Sequence, residues 1–508
     1  MKKIKRIFIS IILAVFCVSL MSCGEVKQDT TQKNYDGRVF YEIFVRSFND
    51  SDGDGIGDLQ GVIDKLDYLK DLGVNGIWLM PILQSSTYHG YDVDDYYSID
   101  DEYGTMEDFE ELLKEAHKRD IKVVMDMELN HTSVNNEWFK SAREGKDSEY
   151  RDYYIWTDDM SKEGEVSPMN TKAWSRNGDK EELYYSIFWS GMPDLNYDNP
   201  KVMEEAKKIC KFYLDKGVDG FRFDAAKWIY NDTDKNVKMW SELSDYLKSV
   251  NKDCIEVAEV WDSPYNTAPY TKALDSFFEF STGEYITNRI RKQSISGFVN
   301  DYVQVKDIYK EENKKFIMAP FLTNHDQDRI ADTLTDTYQL KMAAAMYLTL
   351  PGTPFIYYGE EIGMKGSGVD ENKRQPFVWS SKDKGLNTSW EDITFDTSKI
   401  ALNVEEKDKD SLYNFYKDIL NVRNKYKSLR YGEIDSLDSE DTNVMGMIRS
   451  YDDETSYVLI NGNMDECEIQ LPKGKYYVAY SNDNREEDLK SDGKIKLKGE
   501  EIMILIKK

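Results

Sequence analysis

The sequence predicts an α/β protein: a (β/α)8 TIM barrel with a domain inserted after its third strand and an all-β sandwich at its C-terminal end. Three observations carry that expectation. Eight short apolar runs of strand character alternate with amphipathic helical stretches over roughly 390 residues. The alternation breaks once, over residues 132–197, in a stretch rich in Trp, Tyr, Gly and Asn that is too long for a plain loop. After residue 430 it gives way to short alternating runs, the pattern of a sandwich. The expected organisation is a barrel over 36–430, an inserted domain over 132–197 within it, and a C-terminal sandwich over 431–508.

Taken in order, the first strand is expected at 39–45, the second at 76–79 and the third at 121–125. Between the first two, Leu59, Val62, Ile63, Leu66 and Leu69 recur at the spacing that buries one face of a helix over 59–72. A second helix is expected at 106–119. After the insert come a helix at 201–216, a strand at 220–223, a helix at 237–250 and a strand at 254–258. The last barrel strands are expected at 276–280, 316–322 and 354–358, with helices at 340–350 and 412–426. Such repetition predicts a parallel sheet with right-handed crossovers. Sandwich strands are expected at 445–451, 455–461, 466–471, 475–481 and 501–506.

With 40% hydrophobic and 13% aromatic residues, a chain of 508 residues can bury sizeable cores. A formal charge of −28 argues against nucleic acid or an anionic membrane surface as partners. The first 22 residues read as an export signal: Lys2, Lys3, Lys5 and Arg6 precede an apolar run over 7–20, too short to span a bilayer comfortably. Leu20-Met21-Ser22-Cys23-Gly24 looks like the lipobox of bacterial lipoproteins. That resemblance implies a lipid anchor on Cys23, a tether over 23–35, and an exported protein held at the cell membrane, facing the outside or a periplasm. Cys210, Cys254 and Cys467 are far apart and odd in number, so no disulfide framework is implied. The chain is expected to act as a monomer.

In such a barrel the C-terminal ends of the strands carry the chemistry. The third strand runs into Asp126 and then Asn130-His131. The fourth supplies Arg222 and Asp224, two apart and so on the same side of an extended chain. A guanidinium beside a carboxylate keeps it ionised, which a carboxylate nucleophile requires. The fifth strand ends in Glu259-Val-Trp261-Asp262 and the seventh in Asn324-His325-Asp326, while Tyr88-His89-Gly90-Tyr91 follows the second. Three of the four histidines, His89, His131 and His325, fall at these ends.

These motifs, in this order, resemble glycoside hydrolase family 13, the α-amylase family, from about Tyr35 to the end of the chain. The resemblance implies Asp224 as nucleophile, Glu259 as general acid/base and Asp326 as the carboxylate that stabilises the transition state. It implies that Arg222 holds the nucleophile ionised, that His89, His131 and His325 meet the sugar, and that Tyr91 is the platform beneath it. A retaining glycosidase needs two carboxyl groups roughly 5 Å apart, one ionised and one protonated. The apolar strand before Glu259 and Trp261 after it favour a raised pKa there.

The activity implied is endo-cleavage of α-1,4 bonds in starch, glycogen or maltodextrins by double displacement. Gly191-Met192-Pro193-Asp194-Leu195-Asn196 resembles a subgroup between α-amylases, oligo-1,6-glucosidases and neopullulanases. Oligo-1,6-glucosidase, neopullulanase-like or 4-α-glucanotransferase activity therefore stays open, as does a non-catalytic glycan-binding lipoprotein. Lys227-Trp228 departs from the Lys-His usual in α-amylases, so Lys227 is expected at a leaving-side sugar and Trp228 to stack. Asp50, Asp52, Asp54, Ile56 (by its carbonyl) and Asp58 match alternate ligand positions of an EF-hand loop, although Gly61 stands where its bidentate Glu would be. The resemblance implies Ca2+ bound there. Gly359, Glu360 and Glu361 are expected to shape the cleft floor, and the loop 374–379 to serve packing.

Overall fold

The computed structural model describes residues 35–382, 387–483 and 485–508. The export signal, the Cys23 anchor and the tether through residue 34 lie outside the described residues. Among those described, no helix is long and apolar enough to cross a membrane.

Eight strands form one parallel sheet: β1 (Phe40–Ile43), β2 (Gly76–Leu79), β3 (Lys122–Met127), β4 (Gly220–Phe223), β5 (Ile255–Ala258), β6 (Ser276–Glu279), β7 (Ile317–Pro320) and β8 (Phe355–Tyr357). Their spatial order, β7-β6-β5-β4-β3-β2-β1-β8, curls the sheet until β8 lies beside β1. Thr353 N donates to Met318 O at 2.8 Å across the remaining seam, between the approaches to β8 and β7. Every barrel strand expected from the sequence is present: β2 and β4 have the expected bounds, β3 runs on to Met127, and the other five are shorter than expected.

Period-two alternation assigns the strand side chains. Tyr41, Ile43, Ile77, Leu79, Phe221 and Phe223 join the apolar shell under the helices. Phe40, Trp78, Phe278 and Phe355 face one another instead, with ring centroids 4.9–5.1 Å apart between Phe40 and Phe355, Trp78 and Phe278, and Phe278 and Phe355. Toward the C-terminal ends the corresponding positions turn polar. The register sets Asp126 of β3 directly beside Arg222 of β4, and Glu42 of β1 beside Trp78 and Tyr357.

The helix expected over 59–72 is two helices, Leu59–Asp64 and Leu66–Leu72. The break falls at Lys65, whose ammonium lies 4.3 Å over the Trp379 ring. Helices Phe280–Arg291 and Phe298–Glu312 lie outside those expected. A hairpin, Leu83–Ser85 with Val93–Ile99, follows β2 and carries Tyr88 to Tyr91 between its strands. After β3 come a helix, Glu137–Glu144, and a small antiparallel sheet of Trp156–Thr157, Leu183–Tyr185 and Trp174–Arg176.

Beyond the barrel, six antiparallel strands form one sheet, and Cys467–Gln470 pairs with Lys494–Leu497 as a second. The larger sheet also alternates. Met445, Met447, Val458, Ile460, Ile502 and Ile504 belong to the barrel's own core. Val444, Tyr457, Leu459, Met503 and Leu505 pack with Ile469, Ile495 and Leu497 of the smaller sheet.

Candidate active site

A cleft of about 690 Å3 opens at the C-terminal ends of the strands, lined among others by His89, Tyr91, His131, Asp224, Glu259, Trp261, Asp326 and Arg374. Its floor is electrostatic. Arg222, with no exposed surface, reaches three carboxylates: Nη1 donates to Asp126 Oδ1 and to Asp224 Oδ1, and Nη2 to Glu259 Oε2, each at 2.7 Å. Arg222 is thus buried beneath the site, among the carboxylates and not in the lining of the cleft. One guanidinium also spans Asp224 and Glu259, which keeps the two carboxylates close.

Asp224 directly follows β4, and the chain turns sharply after it. Ala225 has φ 48°, a left-handed conformation that costs a non-glycine residue about 1–2 kcal/mol. The turn is held against β5: Ala226 N donates to Glu259 O at 3.1 Å, and Glu259 N to Phe223 O at 2.9 Å. This strain fixes the two carboxylates relative to one another.

Their protonation follows from burial. Burial pushes Asp224 up to about 6, with Arg222 pulling it back and Asp126 and Asp326 pushing it further. Burial pushes Glu259 to about 7, again against Arg222. Arg222 therefore does not hold Asp224 at an ordinary carboxylate value, because its charge is divided among three partners. The order survives, since Asp224 ionises first. Asp326 behaves oppositely: burial raises it, but the charge and hydrogen bond of His325, together with Arg374, hold it well below the usual range. Side by side, one carboxylate that ionises readily, one that keeps its proton to near neutrality and one always charged can attack, protonate and stabilise positive charge.

His325 is fully buried. Its Nδ1 lies 2.6 Å from Glu42 Oε1; its Nε2 lies 2.6 Å from Tyr91 Oη and 3.2 Å from Asp326 Oδ2. Burial alone would lower it, yet Asp326 and Glu42 raise it to about 9. The Tyr91 ring stacks on it at 5.6 Å. His131 lines the cleft, with Nε2 at 3.0 Å from Tyr91 O, and burial lowers it to about 4. His89 also faces the cleft; its Nδ1 accepts from Tyr91 N at 3.2 Å, and burial lowers it.

Other expectations are corrected. Lys227 does not line the cleft; its Nζ is paired with Asp262 Oδ2 at 2.7 Å, and Trp228 faces the cleft in its place. Arg374, expected in a packing loop, donates from Nη2 to Asp326 Oδ1 at 2.9 Å. Glu360 and Glu361 sit behind the barrel wall: Glu360 accepts from Tyr347 and Tyr416, and Glu361 from Tyr41 and Tyr68. Glu42 was not among the residues singled out, although a charge inside an apolar strand marked it.

In the acidic loop, Asp50, Asp52 and Asp58 each bring a carboxylate oxygen within 4.8 Å of the others. Gly53 and Gly55, with φ of 88° and 99°, allow the tight winding. Asp54 stands outside this group, its Oδ1 accepting from Ile56 N at 2.7 Å. All-oxygen carboxylate donors suit calcium rather than softer metals.

Residues 42–432 match the family described as "Alpha amylase, catalytic domain". "Alpha-amylase 3" of Dictyoglomus thermophilum is 46% identical over 436 residues, covering 85% of this chain and 86% of that one. "4-alpha-glucanotransferase" of Thermotoga maritima is 33% identical over 452 residues, covering 86% and 99%. The crystal structure of alpha-amylase from H. orenii superposes with a TM-score of 0.87 at 41% identity, covering 92% of this chain and 99% of that one.

Proposed function

The chain belongs to the α-amylase family of glycoside hydrolases, and from that premise we propose that it is a retaining enzyme cleaving internal α-1,4 bonds of starch, glycogen or maltodextrins. The single observation carrying this is the Arg222 guanidinium spanning Asp224 and Glu259. In this reading Asp224 attacks the anomeric carbon while Glu259 protonates the departing glycosidic oxygen. Glu259, now ionised, takes a proton from a water whose oxygen bonds to the anomeric carbon as the bond to Asp224 breaks, which frees the sugar and restores both carboxyl groups. Asp326 stays charged, held by Arg374 and His325, and favours the positive charge that develops on the ring in both steps. Tyr91 and His131 seat that ring.

Calcium in the Asp50, Asp52, Asp58 loop would be a structural ion, distant in sequence from the catalytic carboxylates, neutralising repulsion among them. The Cys23 motif supports a lipid-anchored, exported form. One chain supplies every residue named, in keeping with a monomer.

A second reading, transfer of the glycosyl group to another glucan, is favoured by the aromatic rim of the cleft, where Trp189 and Trp261 are about half exposed. Such surfaces hold an acceptor sugar and exclude water. A time course of products from soluble starch and maltoheptaose separates the readings. A rapid loss of iodine staining with mixed short products supports internal hydrolysis. Products longer than the substrate support transfer, and cleavage of isomaltose an oligo-1,6-glucosidase. Asp224→Asn should abolish hydrolysis and keep binding; a native protein that binds but never hydrolyses would be a glycan-binding lipoprotein.

A further inference from the structure

Arg374 reaches the cleft by its side chain, but its main chain is held from behind. Ser47, buried on the short helix Val45–Phe48 after β1, clamps the stretch that carries it. The Ser47 hydroxyl donates to Arg374 O, and Phe377 N donates to Ser47 O at 2.8 Å. A hydroxyl has one proton to direct and can also accept. Here Trp390 Nε1 donates to Ser47 Oγ at 2.8 Å, which leaves the hydroxyl proton for Arg374 O. The Trp390 ring is fixed in turn. It stacks on Tyr88 with centroids 5.4 Å apart, meets Phe44 edge-on at 5.8 Å, and has the Arg46 guanidinium over it at 5.4 Å. The residue before it is pinned as well, Ser389 N donating to Gly55 O at 2.7 Å. Ser47 and Trp390 both lie outside the lining of the cleft.

We propose that Ser47 and Trp390 are positioning residues for Asp326, acting through Arg374. The inference rests on the reading of Asp326 as the carboxylate that favours positive charge on the ring. Such a carboxylate helps only if it is already in place as the charge develops. Arg374 sets that place, with Nη2 donating to Asp326 Oδ1 at 2.9 Å and Nε to His325 O at 3.2 Å. The same Nη2 lies 3.5 Å from Oδ2 of Asp370, a half-exposed carboxylate in the cleft lining. The guanidinium thus has two acidic partners, and a main chain free to drift would let it follow Asp370 away from Asp326. Ser47 and Trp390 remove that freedom. Tryptophan suits the task because one side chain supplies both an N–H donor for Ser47 and a flat face for Tyr88.

Trp390→Phe tests this with little else disturbed, since phenylalanine keeps an aromatic face for Tyr88 but has no N–H. Ser47→Ala removes the hydroxyl that the N–H orients. On maltoheptaose each is expected to lower kcat roughly threefold to tenfold, the contribution of one hydrogen bond, with KM little changed. The double variant should lose no more than Ser47→Ala alone, because both changes act on one bond. In an Arg374→Ala background, Trp390→Phe should cost nothing further. An unchanged kcat in Trp390→Phe, even with a lowered melting temperature, overturns the proposal. So does a loss that persists undiminished without the Arg374 side chain. If Ser47→Ala fails to fold, Trp390→Phe decides, its position being only half-buried. If the native protein turns over no α-glucan, the functional reading fails first and takes the proposal with it.

Discussion

Asp224 and Glu259 share one cation yet titrate about a unit apart, at about 6 and about 7, because each is buried to a different balance of neighbours. The attacking carboxylate must be ionised, so kcat/KM falls as pH drops through about 6. The acid must be protonated, so it falls again as pH rises through about 7. The expected profile is a narrow bell just below neutrality. Glu259→Gln should cost on the order of 10²–10⁴ on maltoheptaose, and much less on an aryl glycoside whose leaving group needs no proton; with that substrate the alkaline limb should vanish. A bell unchanged in Glu259→Gln would reassign the acid. Glu42 acts one residue further back, through His325. His325 titrates near 9, above its unfolded value, so its stabilising contribution is present below about 6.5 and is lost as pH rises through about 9. Glu42→Gln removes one of the two carboxylates that hold that proton. The variant should lose less stability than the native protein between pH 6 and pH 9.5, measured as urea midpoints, while kcat falls with KM little changed. Neither Glu42 nor Arg374 was assigned a site role from the sequence. Glu42 meets a partner 283 positions away and Arg374 one 48 away, separations over which no local pattern survives.

Elements were more legible than side-chain contacts, and for a physical reason. A strand in a parallel barrel is covered on both faces, so it appears as a short apolar run whatever its neighbours are. All eight runs could therefore be placed. The helix over 59–72 had the right periodicity but not the right continuity, because an apolar stripe does not reveal that Lys65 turns out of line onto Trp379, a residue far along the chain. The acidic loop shows both sides. Alternating Asp and Gly marked it, yet only three of its four aspartates converge: Asp54 caps a backbone N–H, and Asp58 also caps the helix Leu59–Asp64 by accepting from Gly61 N at 2.6 Å. Occupancy by calcium should thus stabilise the chain that leads from β1 to its first helix. Chelation is expected to lower the melting temperature by a few degrees, and added calcium to restore it. Asp52→Ala should melt low and lose the response to chelator, whereas Asp54→Ala should keep most of it. Equal insensitivity of the native protein and both variants would remove calcium from this loop.

At the scale of the whole chain, the C-terminal sandwich reads as a separate domain in sequence, yet it shares its core with the barrel. Period-two alternation announced a sheet with two faces but could not say what each face meets. Met445, Met447, Val458, Ile460, Ile502 and Ile504 complete the barrel's apolar shell, and burying side chains of this kind contributes about 1.5–3 kcal/mol each. Six of them rival the whole net stability of an ordinary domain, about 5–15 kcal/mol. Polar ties reinforce the seam. Arg449, without exposed surface, donates to Thr349 O on the barrel side and to Gly432 O at 2.8 Å, and Tyr338 Oη donates to Asn461 O at 2.7 Å. A chain ending at Tyr431 should therefore leave an apolar face and an unpaired buried carbonyl, and should be recovered as aggregate or as a protease-sensitive species with little activity. In the intact protein, calorimetry should show barrel and sandwich unfolding in a single transition. Arg449→Met, which keeps much of the volume but removes both hydrogen bonds, should lower that one transition rather than split it. Recovery of a soluble fragment 36–431 with undiminished starch hydrolysis, or two resolved transitions in the intact chain, would mean that the shared core does not couple the two parts.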